Sequence, residues 1–153
     1  MYADQLETLV LPATVDQLPQ FVEQEKNADT AAYILPTTLE QHQDNFTCDE
    51  ITYLQIVNQD TVIGYFILAL DADPASIEFR RIVVFEKGRG IAQIAIPLME
   101  EYCRLNIPRP RIWLDVYDFN SRGIHLYEKL GYRRFDQREH QGKRLFFYDK
   151  KLA

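Results

Sequence analysis

The chain has 153 residues, of which 46% are hydrophobic, so it can bury one core but is too short for two domains of ordinary size. We therefore predict a single domain over residues 1–153. The formal net charge of −6 disfavours a nucleic-acid-binding protein, and no apolar stretch reaches the roughly 18 to 20 residues that a membrane-spanning helix needs. The acidic start of the chain is unlike a signal peptide, so we expect a cytoplasmic protein without a membrane partner.

The charge is unevenly distributed along the chain. Residues 1–50 contain ten acidic side chains and a single base, Lys26, whereas the remaining 103 residues carry a net charge of +3. The two parts can face ligands of opposite sign, or the acidic surface can serve solubility alone.

Cysteine and histidine residues are few. Cys48 and Cys103 lie far apart in the sequence, and His42, His125 and His140 form no metal-ligand spacing with them. We therefore predict neither a structural disulfide nor a metal site.

The first third of the chain predicts a strand and two helices. The strand runs from Gln5 to Leu11 and ends at Pro12, and a helix follows in which apolar residues recur at helical spacing (Val15, Leu18, Phe21 and Val22). A second helix is expected over about residues 36–44, with Thr37 or Thr38 as its cap.

The middle of the chain predicts three strands and a long helix. The strands Ile51 to Val57 and Thr61 to Leu70 flank a short polar turn and should pair antiparallel. In a third strand, Ser76 to Phe85, alternation places Glu78 on the same face as Ile82 and Val84. After a glycine-containing turn, the apolar pattern from Ile91 to Leu105 has the helical period.

The last third predicts a strand, a helix and a terminal strand pair. These are Arg111 to Val116, Asn120 to Leu130 closed by Gly131, Tyr132 to Arg138 and Arg144 to Lys150. The order is then β-α-α-β-β-β-α-β-α-β-β. Such an order predicts an α/β domain with one mixed sheet and helices on its faces.

The strongest local pattern is a strand that passes through a glycine-rich turn directly into a helix, Lys87-Gly88-Arg89-Gly90-Ile91-Ala92. Two glycines let an anion approach the backbone, and a helix start offers unpaired N–H groups, so the pattern favours a diphosphate site over a simple tight connection. Gln93 replaces the third glycine of a dinucleotide-binding loop, and Ile91 replaces the lysine of an ATP-binding loop.

Two segments resemble the GNAT superfamily of acyl-CoA-dependent N-acetyltransferases. Residues 87–92 resemble its pyrophosphate loop, and Asn120 to Tyr132 resembles a second signature with a central tyrosine, Tyr127. The resemblance implies a GNAT-like fold, acetyl-CoA as co-substrate and an amine as acceptor.

The resemblance also implies roles for individual residues. Coenzyme A would contact a splayed strand, the glycine-rich turn and the second signature (Ile82, Val83, Val84, Lys87, Gly88, Arg89, Gly90, Ile91, Ala92, Asn120 and Tyr127). Tyr127 matches the tyrosine that protonates the leaving thiolate, with a core aromatic as the alternative. Glu78 matches the general base of some members, with an ion pair to Arg80 or another cation as the alternative.

The main hypothesis is therefore an N-acetyltransferase that moves an acetyl group from acetyl-CoA to a small-molecule or peptide amine. In the resembled family the first helices form one wall of the acceptor site, so the acidic first third favours a cationic acceptor. The alternative is a non-catalytic acyl-CoA-binding regulatory module. A homodimer is compatible with either hypothesis.

Overall fold

The computed structural model describes residues 7–27, 30, 32–86 and 88–152. Seven strands form one sheet: β1 Thr8–Pro12, β2 Ile51–Asn58, β3 Thr61–Leu70, β4 Ser76–Val84, β5 Arg111–Tyr117, β6 Arg133–His140 and β7 Lys143–Lys151. The α-helices within these residues are α1 Leu18–Glu25, α2 Leu39–Thr47, α3 Ile91–Asn106 and α4 Ser121–Lys129, and a 3₁₀ turn, Val15–Gln17, precedes α1. The predicted element order and the mixed α/β class are confirmed.

The strands lie in the order β1-β2-β3-β4-β5-β7-β6. Each neighbouring pair is antiparallel except β4 and β5, which are parallel. A parallel pair needs a crossover, and α3 supplies it. The predicted β2–β3 hairpin is confirmed, with Gln59 and Asp60 at positive φ in its turn.

Apolar side chains are buried on both faces of the sheet. On one face, α3 and α4 cover a core that includes Ile96, Met99 and Leu114. On the other face, Leu18 and Phe21 of α1 pack on the β2–β4 side of the sheet, next to two buried tyrosines, Tyr53 and Tyr65. Within the described ranges, no helix is long and apolar enough to cross a bilayer, and no group of three potential ligands could hold a metal ion.

A β-bulge in β4 changes the predicted alternation. Leu68 of β3 pairs with Phe79 and the preceding Ile67 pairs with Arg81, so Arg80 has no partner in β3. An extra residue reverses the facing of every side chain after it and bends the strand.

The bulge corrects one expectation about Glu78. Ile82 and Val84 pack with the core on the α3 and α4 side, as do the neighbours of Glu78 in the strand, Ile77 and Phe79. Glu78 therefore points to the opposite face of the sheet. The prediction that Glu78 shares a face with Ile82 and Val84 is wrong, because a bulge leaves no mark in the alternation of the sequence.

The same bend separates β4 from β5. The two strands pair only from Ser76 and Arg111 to Glu78 and Trp113, although β4 continues to Val84 and β5 to Tyr117. The predicted splaying of β4 from its neighbour is thus present. It opens a gap through the sheet at the level of Ile82 and Asp115.

Candidate active site

A cleft of about 940 Å³ occupies this gap. Its walls come from β4, β5, the start of α3, α4 and the segment between α1 and α2. Of the residues predicted to bind coenzyme A, the cleft is lined by Ile82, Val84, Gly88, Gly90, Ile91, Ala92, Asn120 and Tyr127. The residues predicted from two separate sequence motifs thus meet in one place.

The glycine turn (residues 86–90) ends at the start of α3. Gly88 has φ 86° and Gly90 has φ 70°, and Gly90 is the N-cap of the helix. An L-residue with a side chain adopts these angles only with strain, so the turn needs glycine here. The first N–H groups of α3 have no partner inside the helix and lie at its positive dipole end, which suits a phosphate group.

The turn contains two basic residues, Lys87 and Arg89. Lys87 lies outside the described residues. Arg89 forms an ion pair of 3.3 Å with Glu86 and does not line the cleft. The backbone of the turn, rather than the Arg89 side chain, therefore faces the cleft.

The open edge of β4 presents unpaired backbone groups to the cleft. The Phe85 N–H donates to the Ile63 carbonyl of β3, and backbone groups alternate in direction along a strand. Those of Ile82 and Val84 consequently point to the side from which β5 has departed. Val83 turns its backbone to β3 and its side chain into the core beneath α1, so Val83 does not reach the cleft.

Tyr127 lies on α4 and lines the cleft from the face of the sheet that α3 and α4 cover. Its ring makes edge-to-face contacts with Phe79 and Tyr132, each with centroids 6.0 Å apart. Burial raises the pKa of Tyr127 to about 12, and the charge of Asp115 acts in the same direction. The hydroxyl therefore keeps its proton at neutral pH, and among the described residues it has no hydrogen-bond partner.

Asn120 begins α4. Its side chain accepts a hydrogen bond of 2.9 Å from the Gly123 N–H, which is the N-cap geometry. A Cβ on Gly123 would lie 2.8 Å from the Asn120 amide nitrogen, so a larger residue there would have to displace the capping side chain. Asn120 thus caps the helix and also lines the cleft.

Glu78 is bound by its neighbour in the strand. Arg80 donates to both of its carboxylate oxygens, at 3.2 Å from Nε and 2.9 Å from Nη2. The ion pair that was the alternative for Glu78 is therefore present. Arg80 lines the cleft, whereas Glu78 does not.

Asp115 is a cleft residue that the motifs did not indicate. It lies on β5 between the buried Leu114 and Val116, so its side chain points to the opposite face of the sheet, toward Glu78. Burial and the charge of Glu78 raise the pKa of Asp115, although the side chain keeps contact with water in the open cleft. Asp115 forms no ion pair with any described residue, so its carboxylate is available to a ligand.

The model of the acetyltransferase (GNAT) family matches residues 16–132 of the chain, which include every cleft-lining residue except His140 and Leu145. The chain belongs to this family. It is accordingly an acyltransferase. The prediction of an N-acetyltransferase that uses acetyl-CoA as co-substrate is confirmed. No curated protein sequence matches the chain.

Solved acetyltransferases share the fold. The aminoglycoside acetyltransferase AAC(6')-Ib in complex with coenzyme A and kanamycin has a TM-score of 0.81 and 15% identity, and the match covers 94% of each chain. Spermidine N-acetyltransferase from Vibrio cholerae in complex with CoA and spermine has a TM-score of 0.83 and 16% identity, with 96% of each chain covered.

In this GNAT chain, a buried charged network lies beside the cleft. The Glu25 carboxylate is fully buried and accepts hydrogen bonds from the Tyr65 hydroxyl and, at 2.8 Å, from the Thr37 N–H. His42 lies 2.8 Å from the same carboxylate, and Arg81 lies 3.2 Å from it. Burial by itself raises the pKa of Glu25, but these hydrogen bonds and the charge of Arg81 outweigh it and hold the pKa below its usual range.

Arg81 connects this network to the part of the cleft wall that lies between α1 and α2. It donates to the Thr37 hydroxyl at 2.7 Å and to the Leu35 carbonyl at 2.9 Å. Both partners belong to the wall segment (residues 32–37), whose first four residues line the cleft. Neither Glu25 nor Arg81 was singled out by its sequence pattern, since each resembles a solvent-exposed charge in a helix or a strand.

Proposed function

We propose that this acetyltransferase moves the acetyl group of acetyl-CoA to the amine of a cationic small molecule, with Asp115 as base and Tyr127 as acid. The observation that carries the proposal is the position of both groups on one cleft that crosses the sheet between β4 and β5. The Asp115 charge also contributes to the raised pKa of Tyr127, although burial is the larger cause.

The donor side of the cleft fits coenzyme A. The open backbone edge at Ile82 and Val84 can hydrogen-bond an extended pantetheine arm as a neighbouring strand would. The start of α3 at Gly90 and Ile91 can hold the diphosphate, and the exposed side chains of Arg122 and Lys129 line the same side. These residues bind and orient the donor so that its thioester enters the gap.

On the acceptor side, Asp115 solves the first proton problem. An alkyl ammonium near pKa 10.4 is almost entirely protonated at pH 7, so its nitrogen must lose a proton before it can attack a thioester. A carboxylate with a raised pKa accepts that proton more readily than an ordinary aspartate. Glu78 is the carboxylate that the family resemblance suggested as base, but proton acceptance there would disrupt its two hydrogen bonds from Arg80.

Tyr127 solves the second proton problem. Its hydroxyl is protonated at neutral pH and free of partners among the described residues, so it can donate to the departing thiolate sulfur. Ring contacts with Phe79 and Tyr132 fix its direction. Proton acceptance at Asp115 and proton donation at Tyr127 thus occur on the two sides of the reacting carbonyl.

A cationic acceptor is supported by charge and by the solved relatives. Asp115 is the carboxylate in the gap that lacks an ion pair among the described residues, and it would attract an ammonium group. The two structurally similar enzymes were crystallised with kanamycin and with spermine, both of which are polyamines.

The direct test is the release of CoA thiol from acetyl-CoA over a panel of cationic, neutral and anionic amines. Turnover with cationic amines is expected, and Tyr127→Phe should lower kcat by roughly ten- to a thousandfold while the affinity for CoA stays the same. Binding of CoA without turnover of any amine would favour the regulatory module instead.

Two matched variants separate the candidate bases. Asp115→Asn should lower kcat/KM by roughly a hundred- to ten-thousandfold and flatten the acidic limb of its pH profile, because the variant has no proton acceptor there. Glu78→Gln should keep the acidic limb. The reverse pattern would make Glu78 the base and Asp115 a neighbouring charge.

We also infer a cytoplasmic location and leave the homodimer as a prediction. The exposed Cys48 and the buried Cys103 are both free, as is usual in a reducing compartment. Phe135, an exposed apolar residue on the edge strand β6, is a candidate contact in a dimer. Sedimentation of the purified chain would test whether the dimer forms.

A further inference from the structure

Three aromatic rings stand at the acceptor end of the cleft. Phe119, in the loop after β5, stacks on Tyr117 with centroids 5.0 Å apart and on Tyr33 of the wall segment with centroids 6.0 Å apart. Tyr33 and Tyr117 line the cleft. We call these three residues the aromatic cluster; Tyr33 is 40% exposed and Phe119 is 46% exposed.

The aromatic cluster already faces a cation. The Lys143 ammonium, from the β6–β7 hairpin, lies 5.3 Å from the centroid of Tyr117 and 5.8 Å from that of Phe119. Both distances are within the range of a cation–π interaction, which attracts an ammonium to the ring face. No described carboxylate forms an ion pair with Lys143, so the rings and water are its surroundings.

The cluster and the proposed base lie at a fixed spacing. Tyr117 follows Asp115 by two residues, and both point to the same face of β5. Two residues along a strand span about 7 Å, which a chain of a few methylene groups can bridge. An acceptor with two ammonium groups could place one at Asp115 and the other at the rings.

We propose that the aromatic cluster binds a second ammonium group of a diamine or polyamine acceptor, which displaces Lys143 from the rings. The proposal rests on the proposed function, because it takes the amine at Asp115 as the reacting one. Lys143 is then a competing cation that any second ammonium must replace, and an acceptor with one amine gains nothing from the cluster.

Calorimetric titration tests the site without requiring turnover. Butane-1,4-diamine and butylamine would be titrated into the protein saturated with CoA, for the wild type and for Phe119→Leu, Lys143→Met and Phe135→Leu. Phe135 is the matched control, since it is 47% exposed and has Arg111 4.8 Å above its ring. Its ring contacts, Arg111 and Phe147, do not line the cleft, whereas Phe119 stacks on two residues that do.

Phe119→Leu should raise the Kd of the diamine by about two- to thirtyfold, the range expected for loss of a cation–π contact, and leave the Kd of butylamine unchanged. Lys143→Met should lower the Kd of the diamine, and Phe135→Leu should change neither. An unchanged diamine Kd in Phe119→Leu, or a raised one in Lys143→Met, would overturn the proposal.

The outcome is distinguishable from failure of the proposed function. Loss of diamine affinity in Phe119→Leu supports the second-ammonium site even if no amine is acetylated. Acetylation of both amines by the wild type, with the same KM for the diamine in Phe119→Leu, supports the proposed function and refutes the site.

Discussion

Two buried carboxylates lie on opposite faces of the sheet, and the cations that pair with them make different further contacts. Glu25, beneath the wall segment, is fully buried, and Glu100, on α3, is 2% exposed. Glu25 accepts a hydrogen bond from the Tyr65 hydroxyl and pairs with Arg81. Glu100 likewise accepts a hydrogen bond from the Tyr132 hydroxyl and pairs with Lys150. A buried charge is tolerated only with such partners, so both sites meet the same physical requirement.

The difference lies in the second contact of each cation. Lys150 donates to the Leu130 carbonyl at the end of α4, and neither it nor Glu100 lines the cleft. Arg81 lines the cleft and holds the wall segment by two hydrogen bonds. A buried ion pair of this kind thus packs a helix against the sheet in one place and holds a wall of the cleft in the other.

The largest expected effect comes from removing the charge of each carboxylate. Glu25→Gln should lower the free energy of unfolding by about 3–5 kcal/mol, because Arg81 would remain without its carboxylate in a largely buried position. Glu100→Gln should cost less, since Lys150 is more exposed than Arg81. Urea unfolding at pH 7 measures both values.

Kinetics of the same two variants sharpen the comparison. Glu25→Gln should raise the KM of the acceptor, because the wall segment loses its anchor, whereas the Kd of CoA should stay constant. Glu100→Gln should change neither constant. An equal rise of the acceptor KM in Glu100→Gln would mean that the kinetic effect reflects lost stability and not the position of the wall.

Lowering the pH is expected to reduce the difference in unfolding free energy between the wild type and Glu25→Gln. The pKa of Glu25 is lowered by folding, so its stabilising contribution is complete above the pKa of the unfolded chain and is lost as the pH falls through the folded value. The gap in unfolding free energy between wild type and Glu25→Gln should therefore be constant at pH 5–7 and shrink below about pH 4.3.

An exposed glutamate provides the control for this titration. Glu23 pairs with Lys26 on the surface of α1, and Glu23→Gln should stay within about 0.5 kcal/mol of the wild type over the whole pH range. A gap for Glu25→Gln that widens on acidification would contradict the lowered pKa.

The glycine turn and the start of α4 were predictable because their signals are local. The glycines at 88 and 90 and the segment 120–132 each form one contiguous unit, so their residue order alone places them at helix starts. Asp115 has no such local signal. The residues of β5 alternate between buried and more exposed positions, but nothing in the strand itself shows that β4 parts from it.

The wall segment and its contacts were less predictable because distant residues build them. Glu25 has the pattern of an exposed helix residue, and its burial depends on Tyr65 and Arg81, which lie 40 and 56 residues away. From the acidic first third, residues 30 and 32–35 line the cleft, but these described lining residues carry no charge. Asp29 lies outside the described residues. Attraction of a cation thus rests on Asp115 from β5.

The smallest expected effect is also the most selective test of the comparison. Thr37→Val removes the hydroxyl that accepts from Arg81 but keeps the Thr37 N–H that donates to Glu25. Since one charged hydrogen bond is lost and the buried carboxylate keeps its partners, we expect a stability loss of about 1–2 kcal/mol. Thr47→Val, which removes an exposed hydroxyl at the end of α2, is the matched control and should cost less.

If Arg81 positions the wall, Thr37→Val should raise the acceptor KM severalfold at unchanged CoA affinity, although its stability loss is smaller than that of Glu100→Gln. A KM equal to that of Thr47→Val would mean that Arg81 only neutralises Glu25, as Lys150 neutralises Glu100, and the two carboxylates would then have the same role.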